Sequence, residues 1–200
     1  MCSRRHSACA PGLLPYTATM LFSRRIEHCQ VCGTPVEHKV PADDTRERAV
    51  CPSCGHIHYV NPLNVVGTLP VWGDQVLLCK RNIEPRKGFW TLPAGFMELG
   101  ETTDEGAARE TDEEAGAHIE MQGLYSILNV VTAGQVHFFY RARLLDTVFA
   151  PGPETMEARL FHEHEIPWAD LAFRTVRMTL ERYFDDRKRG QFDIYCADLR

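Results

Sequence analysis

Apolar and polar positions follow two periods along this chain. Residues 61–81, NPLNVVGTLPVWGDQVLLCKR, carry Val65, Val66 and Leu69 up to Gly73-Asp74, then Val76, Leu77 and Leu78. Two apolar runs around a glycine-bearing turn predict two strands. Residues 119–131 and 136–145 predict two more. In the second of these Val136, Phe138 and Tyr140 alternate with His137, Phe139 and Arg141, as in a central strand with both faces partly buried. Residues 151–157, PGPETME, read as a loop, and 158–161 as a short strand. From 173 to 189 the period changes to that of a helix, with Val176, Leu180, Tyr183 and Phe184 on one face after Pro167-Trp168. Strands mixed with amphipathic helices through glycine-bearing loops predict an α/β fold with a mixed sheet.

The stretch from 88 to 117 breaks the apolar pattern. Between 101 and 114 seven carboxylates, Glu101, Asp104, Glu105, Glu110, Asp112, Glu113 and Glu114, surround a single Arg109. Thr102 and Glu105 form a capping box and Gly116 is placed to end a helix, so the punctuation predicts a helix over about 103–115. Glu105 stands four residues before Arg109, the favourable order for an ion pair. Gly106 leaves room one turn before Glu110. Glu110, Glu113 and Glu114 share one face, where like charges cost roughly 0.2–0.5 kcal/mol per pair. A hard cation with oxygen ligands reverses that cost, and Mg²⁺ held by a few carboxylates together with substrate phosphates is the common case. A solvated acidic helix without a ligand is the plainer alternative.

Cysteine spacing adds a second unit. Cys29-x-x-Cys32 and Cys51-x-x-Cys54 are separated by 18 residues, and Gly33 and Gly55 follow each pair. Four thiolates at this spacing suit a closed, structural zinc site, the alternatives being disulfides or free thiols. His28, His38, His56 and His58 flank the site and read as surface or packing residues, and 43–48 as the exposed tip of a hairpin. About 30 residues bury little core, so zinc, worth roughly 10–16 kcal/mol in small fingers, would be the main folding term. Cys2, Cys9, Cys79 and Cys196 show no pairing logic, which points to a reducing compartment. Residues 1–28 carry Arg4, Arg5, Arg24 and Arg25 and no acid before Glu27. They read as a flexible extension, with translation from Met1 or Met20, or as an organelle transit peptide. The expected units are therefore 1–28, a ribbon at 29–60, and a larger α/β domain at 61–200, in the cytoplasm or, with a transit peptide, in an organelle.

Composition narrows the class. Two hundred residues with 44% hydrophobic and 24% charged positions are globular averages. A net charge of −5 argues against a nucleic-acid partner. No apolar run approaches the length of a membrane span.

The order Gly95, five residues, Glu101, seven residues, Arg109-Glu110, two residues, Glu113-Glu114, one residue, Gly116 resembles the Nudix box, G-x5-E-x7-R-E-U-x-E-E-x-G-U, with U bulky and apolar. Thr111 and Ala117 depart from it at the two U positions. Gly88-Phe89-Trp90-Thr91-Leu92-Pro93-Ala94-Gly95 resembles the family's G-x-W-x-L-P-x-G approach. The resemblance implies an α/β/α sandwich, after a zinc ribbon, that hydrolyses nucleoside diphosphates linked to another moiety. It implies Glu110, Glu113 and Glu114 as ligands of Mg²⁺ or Mn²⁺, a carbonyl from Gly95, and a Glu101–Arg109 pair orienting the loop. It further implies a general base at Glu114 or at a downstream glutamate, Glu154 or Glu157. Arg81 at the end of a strand suits a phosphate, and Trp90, Phe89 or Tyr125 could stack a flavin or adenine.

Across about 29–190 the chain resembles the zinc-ribbon Nudix enzymes of plant chloroplasts and bacteria that cleave FAD or ADP-ribose, in CPSCGHIHYVNPLNVVG, VLLCKRNIEPRKGFWTLPAGFMELGE, APGPETMEARLF and EIPWADLAF. It is also similar to NADH pyrophosphatases, but lacks their S-Q-P-W-P-F-P-x-S after the box. The implied products are FMN and AMP, or AMP and ribose 5-phosphate. A nucleotide-sensing regulator without catalysis and an enzyme of RNA ends are the readings from other classes; the intact box and the acidic charge weigh against them. A homodimer through the ribbon or an edge strand is implied by resemblance alone.

Overall fold

The computed structural model describes residues 25–200. Cys2, Cys9, Met20 and the arginines before Arg25 lie outside the described residues, and with them the question of an extension or a transit peptide. Strands β1 (Glu37–Lys39), β2 (Arg48–Val50) and β3 (Ile57–His58) form a small antiparallel sheet. Asp44 closes the expected hairpin tip, accepting from Arg48 Nε at 3.0 Å and from the Thr45 and Arg46 N–H groups. This unit begins before Cys29. The Val36 N–H donates to the Glu27 carbonyl and His28 bridges to Pro35.

The larger sheet is mixed. Its main path runs β10 (Thr155–His162), β5 (Gln75–Arg81), β4 (Leu63–Trp72), β9 (Gln135–Leu144), β8 (Ile119–Val130), β11 (Tyr195–Leu199). β4 lies parallel to β9 and β11 parallel to β8; the other pairs on this path are antiparallel. β4 and β5 meet only at Val71–Val76 and Trp72–Gln75. Beyond those pairs they part, and β6 (Trp90–Thr91) on β5 and β7 (Ala94–Phe96) on β4 fill the gap. The close approach depends on Gly67, where a Cβ would lie 2.4 Å from that of Ala94 and 2.5 Å from the Pro93 carbonyl oxygen.

Two helices cover the two faces. Along β5, Val76 and Leu78 join a core with Val176, Leu180, Tyr183 and Phe184 of α2 (Arg174–Arg189). Leu77 and Cys79 point the other way, to Ala115 of α1 (Thr103–Ala115) and to Leu144. The period-2 alternation of one strand thus feeds two cores, which makes an α/β/α sandwich. None of the helices among the described residues is long and apolar enough to cross a membrane.

Three local expectations change. The loop before β10 ends at Pro153 and Glu154, because Thr155 already pairs with Arg81 across a bulge that ends at Glu157. β11 had no counterpart in the sequence pattern. Its parallel register on β8 is a long-range pairing, with Asn129 donating to Asp198 at 2.8 Å. Glu105 does not pair with Arg109. Its carboxylate accepts from the Thr102 N–H at 2.8 Å in the capping box, which occupies it at the helix start.

Candidate active site and metal centre

α1 begins and ends on local chemistry. Thr102 and Glu105 satisfy each other's free N–H groups, and Gly116 closes the last turn in the left-handed region at φ 57°. Between these caps Arg109 is the brace. Its Nε and Nη2 donate to the two oxygens of Glu101 at 3.0 and 2.8 Å, a bidentate pair, and Nη2 also reaches the Phe96 carbonyl at 3.1 Å. These bonds tie the 96–101 loop to the helix. They also hold the Glu101 carboxyl down at about 2, aided by the Glu98 N–H. Nη1 bridges Glu110 at 2.8 Å and Glu113 at 3.1 Å.

Glu110 and Glu114 turn inward against the wedge. Glu114 is 8% exposed and accepts from the Ala94 N–H at 3.1 Å. Glu110 packs on Gly95, where a Cβ would stand 2.3 Å from its oxygen. Gly106 serves the same closeness, because a Cβ there would meet Glu101 at 2.5 Å and Val66 at 2.9 Å. Burial raises the Glu114 carboxyl to about 8, and the charges of Glu110 and Glu154 add to the rise against the Ala94 N–H and Arg81. Glu110 is raised for the same reason, with Glu113 and Glu154 contributing. Crowded, partly desolvated carboxylates that repel one another are a donor set that fits a hard divalent cation. Glu110, Glu113 and Glu114 are the residues that would hold it, beside the Gly95 backbone.

The remaining expected site residues divide. Arg81 is buried, donates to the Pro85 carbonyl at 2.9 Å and lies over Phe173, and it forms no ion pair among the described residues. It feels Glu114 and Glu154, although burial lowers its pKa. Glu154 therefore shares the field of the acid cluster. Glu157 sits in β10 opposite Lys80 and 3.8 Å from Arg159. Trp90 is 7% exposed, packed edge-on against Phe161 at 4.8 Å, with little ring surface left for a nucleotide. Tyr125 is buried, donating to Asp186 at 2.9 Å. Phe89 is half-buried, with Arg86 over its ring. Phe96 is 45% exposed and follows Gly95 directly. The two departures from the box are both buried. Ala117 belongs to the α1 core, while Thr111 bonds Thr68 Oγ1 at 2.6 Å and donates to the Ala107 carbonyl.

The four cysteines of the small sheet converge, with their sulfur atoms all within 4.8 Å of one another. The Cys29–Cys54 and Cys32–Cys51 Sγ separations are 3.7 and 3.4 Å, against about 3.8 Å for a tetrahedron with Zn–S bonds of 2.3 Å. The two halves repeat one hydrogen-bond pattern. Cys29 N–H donates to Thr34 and Gly33 N–H to Cys29; Cys51 N–H donates to His56 and Gly55 N–H to Cys51. Both glycines have φ near 75°. The cluster suits Zn²⁺, and among the described residues it is the only group of His, Cys, Asp or Glu ligand atoms gathered this closely; the carboxylates of Glu110, Glu113 and Glu114 are not drawn together to that degree.

Comparison with known proteins agrees with both units. The model of the zinc-ribbon type described as Nudix N-terminal matches residues 27–60, and the NUDIX domain model matches 62–181. A NUDIX hydrolase from Nitrosomonas europaea has a crystal structure that superposes with a TM-score of 0.82 at 48% identity, over 87% of this chain and 100% of that one. The NAD-capped RNA hydrolase NudC of Stutzerimonas stutzeri is 30% identical over 165 residues, 80% of this chain and 56% of its own. The ADP-ribose pyrophosphatase of Methanocaldococcus jannaschii is 32% identical over 121 residues, 58% of this chain and 69% of its own. The chain thus spans little more than half the length of the NudC relative.

Proposed function

The chain belongs to the Nudix family, and from that premise we propose that it hydrolyses the pyrophosphate bond of a nucleoside-diphosphate derivative, FAD or ADP-ribose being the substrates its sequence favours. The observation that carries this is the intact acid face: Glu110 and Glu114 turned in against Gly95 and Ala94, Glu113 beside them, and Arg109 braced on Glu101. A regulator that only sensed nucleotides would not need every one of these carboxylates.

Bound Mg²⁺ or Mn²⁺ would supply charge for the phosphate oxygens and lower the pKa of bound water. The chain's own residues do the rest. Arg109 and Glu101 fix the loop that presents the Gly95 carbonyl. Arg81, a buried cation without a carboxylate partner, attracts a phosphate of the substrate. Glu114, held by the Ala94 N–H, accepts the proton of the attacking water, or Glu154 does so from the facing loop.

A second reading is favoured by the NudC relative, which is similar over 80% of this chain: NAD(H), free or at the end of an RNA. A product assay decides. FAD, ADP-ribose, NADH and NAD-capped RNA are each incubated with Mg²⁺ and with Mn²⁺, beside Glu114→Gln. Cleavage of FAD or ADP-ribose that the variant loses by about 10²- to 10⁴-fold is the expected result. Cleavage confined to NADH or capped RNA would install the second reading, and tight binding without cleavage would leave a sensor.

A further inference from the structure

Glu154 ends a segment with no regular structure that lies against α1, and that segment is held at both ends. On the α1 side the Ala150 N–H donates to the Ala115 carbonyl at 2.8 Å. Gly116 lies so close to Ala150 that a Cβ would come within 2.6 Å of its carbonyl oxygen. Gly152 is pressed on the helix itself, where a Cβ would stand 2.1 Å from the Glu113 carbonyl oxygen. That neighbour is backbone, so any side chain at 152 must push the segment off the helix. On the other side Asn82, the residue after β5, holds the end of the segment. Its N–H donates to the Glu154 carbonyl at 2.8 Å and its Nδ2 to the Pro153 carbonyl at 2.9 Å. Thr155 then enters the sheet opposite Arg81.

We propose that Gly152 and Asn82 are positioning residues, a bracket that holds Glu154 at a fixed reach from Glu110, Glu113 and Glu114 so that it completes the metal-binding carboxylate set. Neither residue touches substrate. Each acts on the reaction through Glu154. The inference rests on the hydrolase reading above.

The test is a double-mutant cycle with two readouts, kcat for the substrate found in the product assay and Mn²⁺ affinity from the free-ion signal in electron paramagnetic resonance. Gly152→Ala is expected to lower kcat by roughly 10- to 100-fold with KM little changed, as a displacement near 1 Å does. Asn82→Ala, which removes one hydrogen bond and is the milder change to the fold, is expected to lower it by about 2- to 10-fold. Both weaken Mn²⁺ binding. In a Glu154→Gln background neither substitution lowers kcat or Mn²⁺ affinity further. Losses that multiply in that background would overturn the bracket, because the two residues would then be acting on general structure. So would a Glu154→Gln protein with unchanged kcat and Mn²⁺ affinity. Tight binding with no cleavage of any nucleotide by the parent protein would overturn the hydrolase reading itself, and the bracket with it.

Discussion

The ribbon and the catalytic domain reach order by opposite means. In residues 25–60 the buried side chains are few, Cys29, Ala49, Val50, Cys51 and His58, while Val31, Val40, Tyr59 and Val60 stay exposed. Two of those buried residues, Cys29 and Cys51, belong to the four-cysteine cluster. In residues 63–200 one sheet feeds two apolar cores, and the charged groups sit on a helix whose other faces are packed. On the proposed function a bound metal would be a structural element in the first region and a reagent in the second. Removing it should have opposite consequences in the two.

The largest expected effect follows from the ribbon. Zinc contributes roughly 10–16 kcal/mol in small isolated fingers, more than five buried side chains supply. Cys51→Ser should lose the zinc and, with it, the hydrogen-exchange protection of residues 27–60, while residues 63–200 keep theirs. Mass spectrometry of exchange together with metal analysis checks both halves. Protection of the ribbon that survives without zinc would mean the two regions are stabilised alike. Glu114→Gln is the converse experiment. It should leave exchange unchanged throughout while turnover falls, since the domain does not need the carboxylate to fold.

What the sequence disclosed follows the same division between local and long-range causes. α1 is found at 103–115 with both caps as expected, because Thr102, Glu105 and Gly116 act within one turn of themselves. The cysteine knuckles were legible for the same reason. β11 was not, since only β8, far along the chain, makes Tyr195–Leu199 a strand. Of the two partners expected for Arg109, Glu105 is taken by the cap, while Glu101 holds it across the loop as the family resemblance implied. Trp90 looked available in a motif rich in glycine and proline. The wedge between β4 and β5 that buries it is a property of two diverging strands, which spacing alone does not announce.

Acid should also act on the two regions by different chemistry. In the ribbon it protonates thiolates. In the Nudix domain His137 is half-buried in β9, its enclosed Nδ1 has no partner, and desolvation lowers its pKa to about 4. An unfolded chain binds that proton near pH ~6.5, so between about 6.5 and 4 the unfolded state carries more protons and stability falls as pH falls. Replacing the ring by a group that does not titrate removes this loss. For His137→Gln, the drop in unfolding free energy from pH 7 to pH 5 should be smaller than in the parent by up to about 2 kcal/mol. Urea titrations at the two pH values measure it, read from probes in residues 63–200. An equal drop in both proteins would show that His137 takes up its proton without unfolding.

The smallest effect concerns how the catalytic helix is seated. Thr111 stands where the box calls for a bulky apolar residue, and its fully buried hydroxyl meets that of Thr68 on β4 at 2.6 Å. The helix is therefore fastened to the sheet by a polar pair inside an otherwise apolar contact. Thr111→Val matches the family pattern yet strands the Thr68 hydroxyl, a loss of about 1–3 kcal/mol. Thr68→Val has a milder cost, because Thr111 keeps its bond to the Ala107 carbonyl at 2.8 Å. The double variant should recover most of what Thr111→Val loses, since removing both partners of a buried bond is nearly neutral. Thermal unfolding of the four proteins measures this. A double variant less stable than either single one would mean that the threonine pair is required by shape and not merely by its hydrogen bond, and that the departure at position 111 belongs to a helix seat different from the family's apolar one.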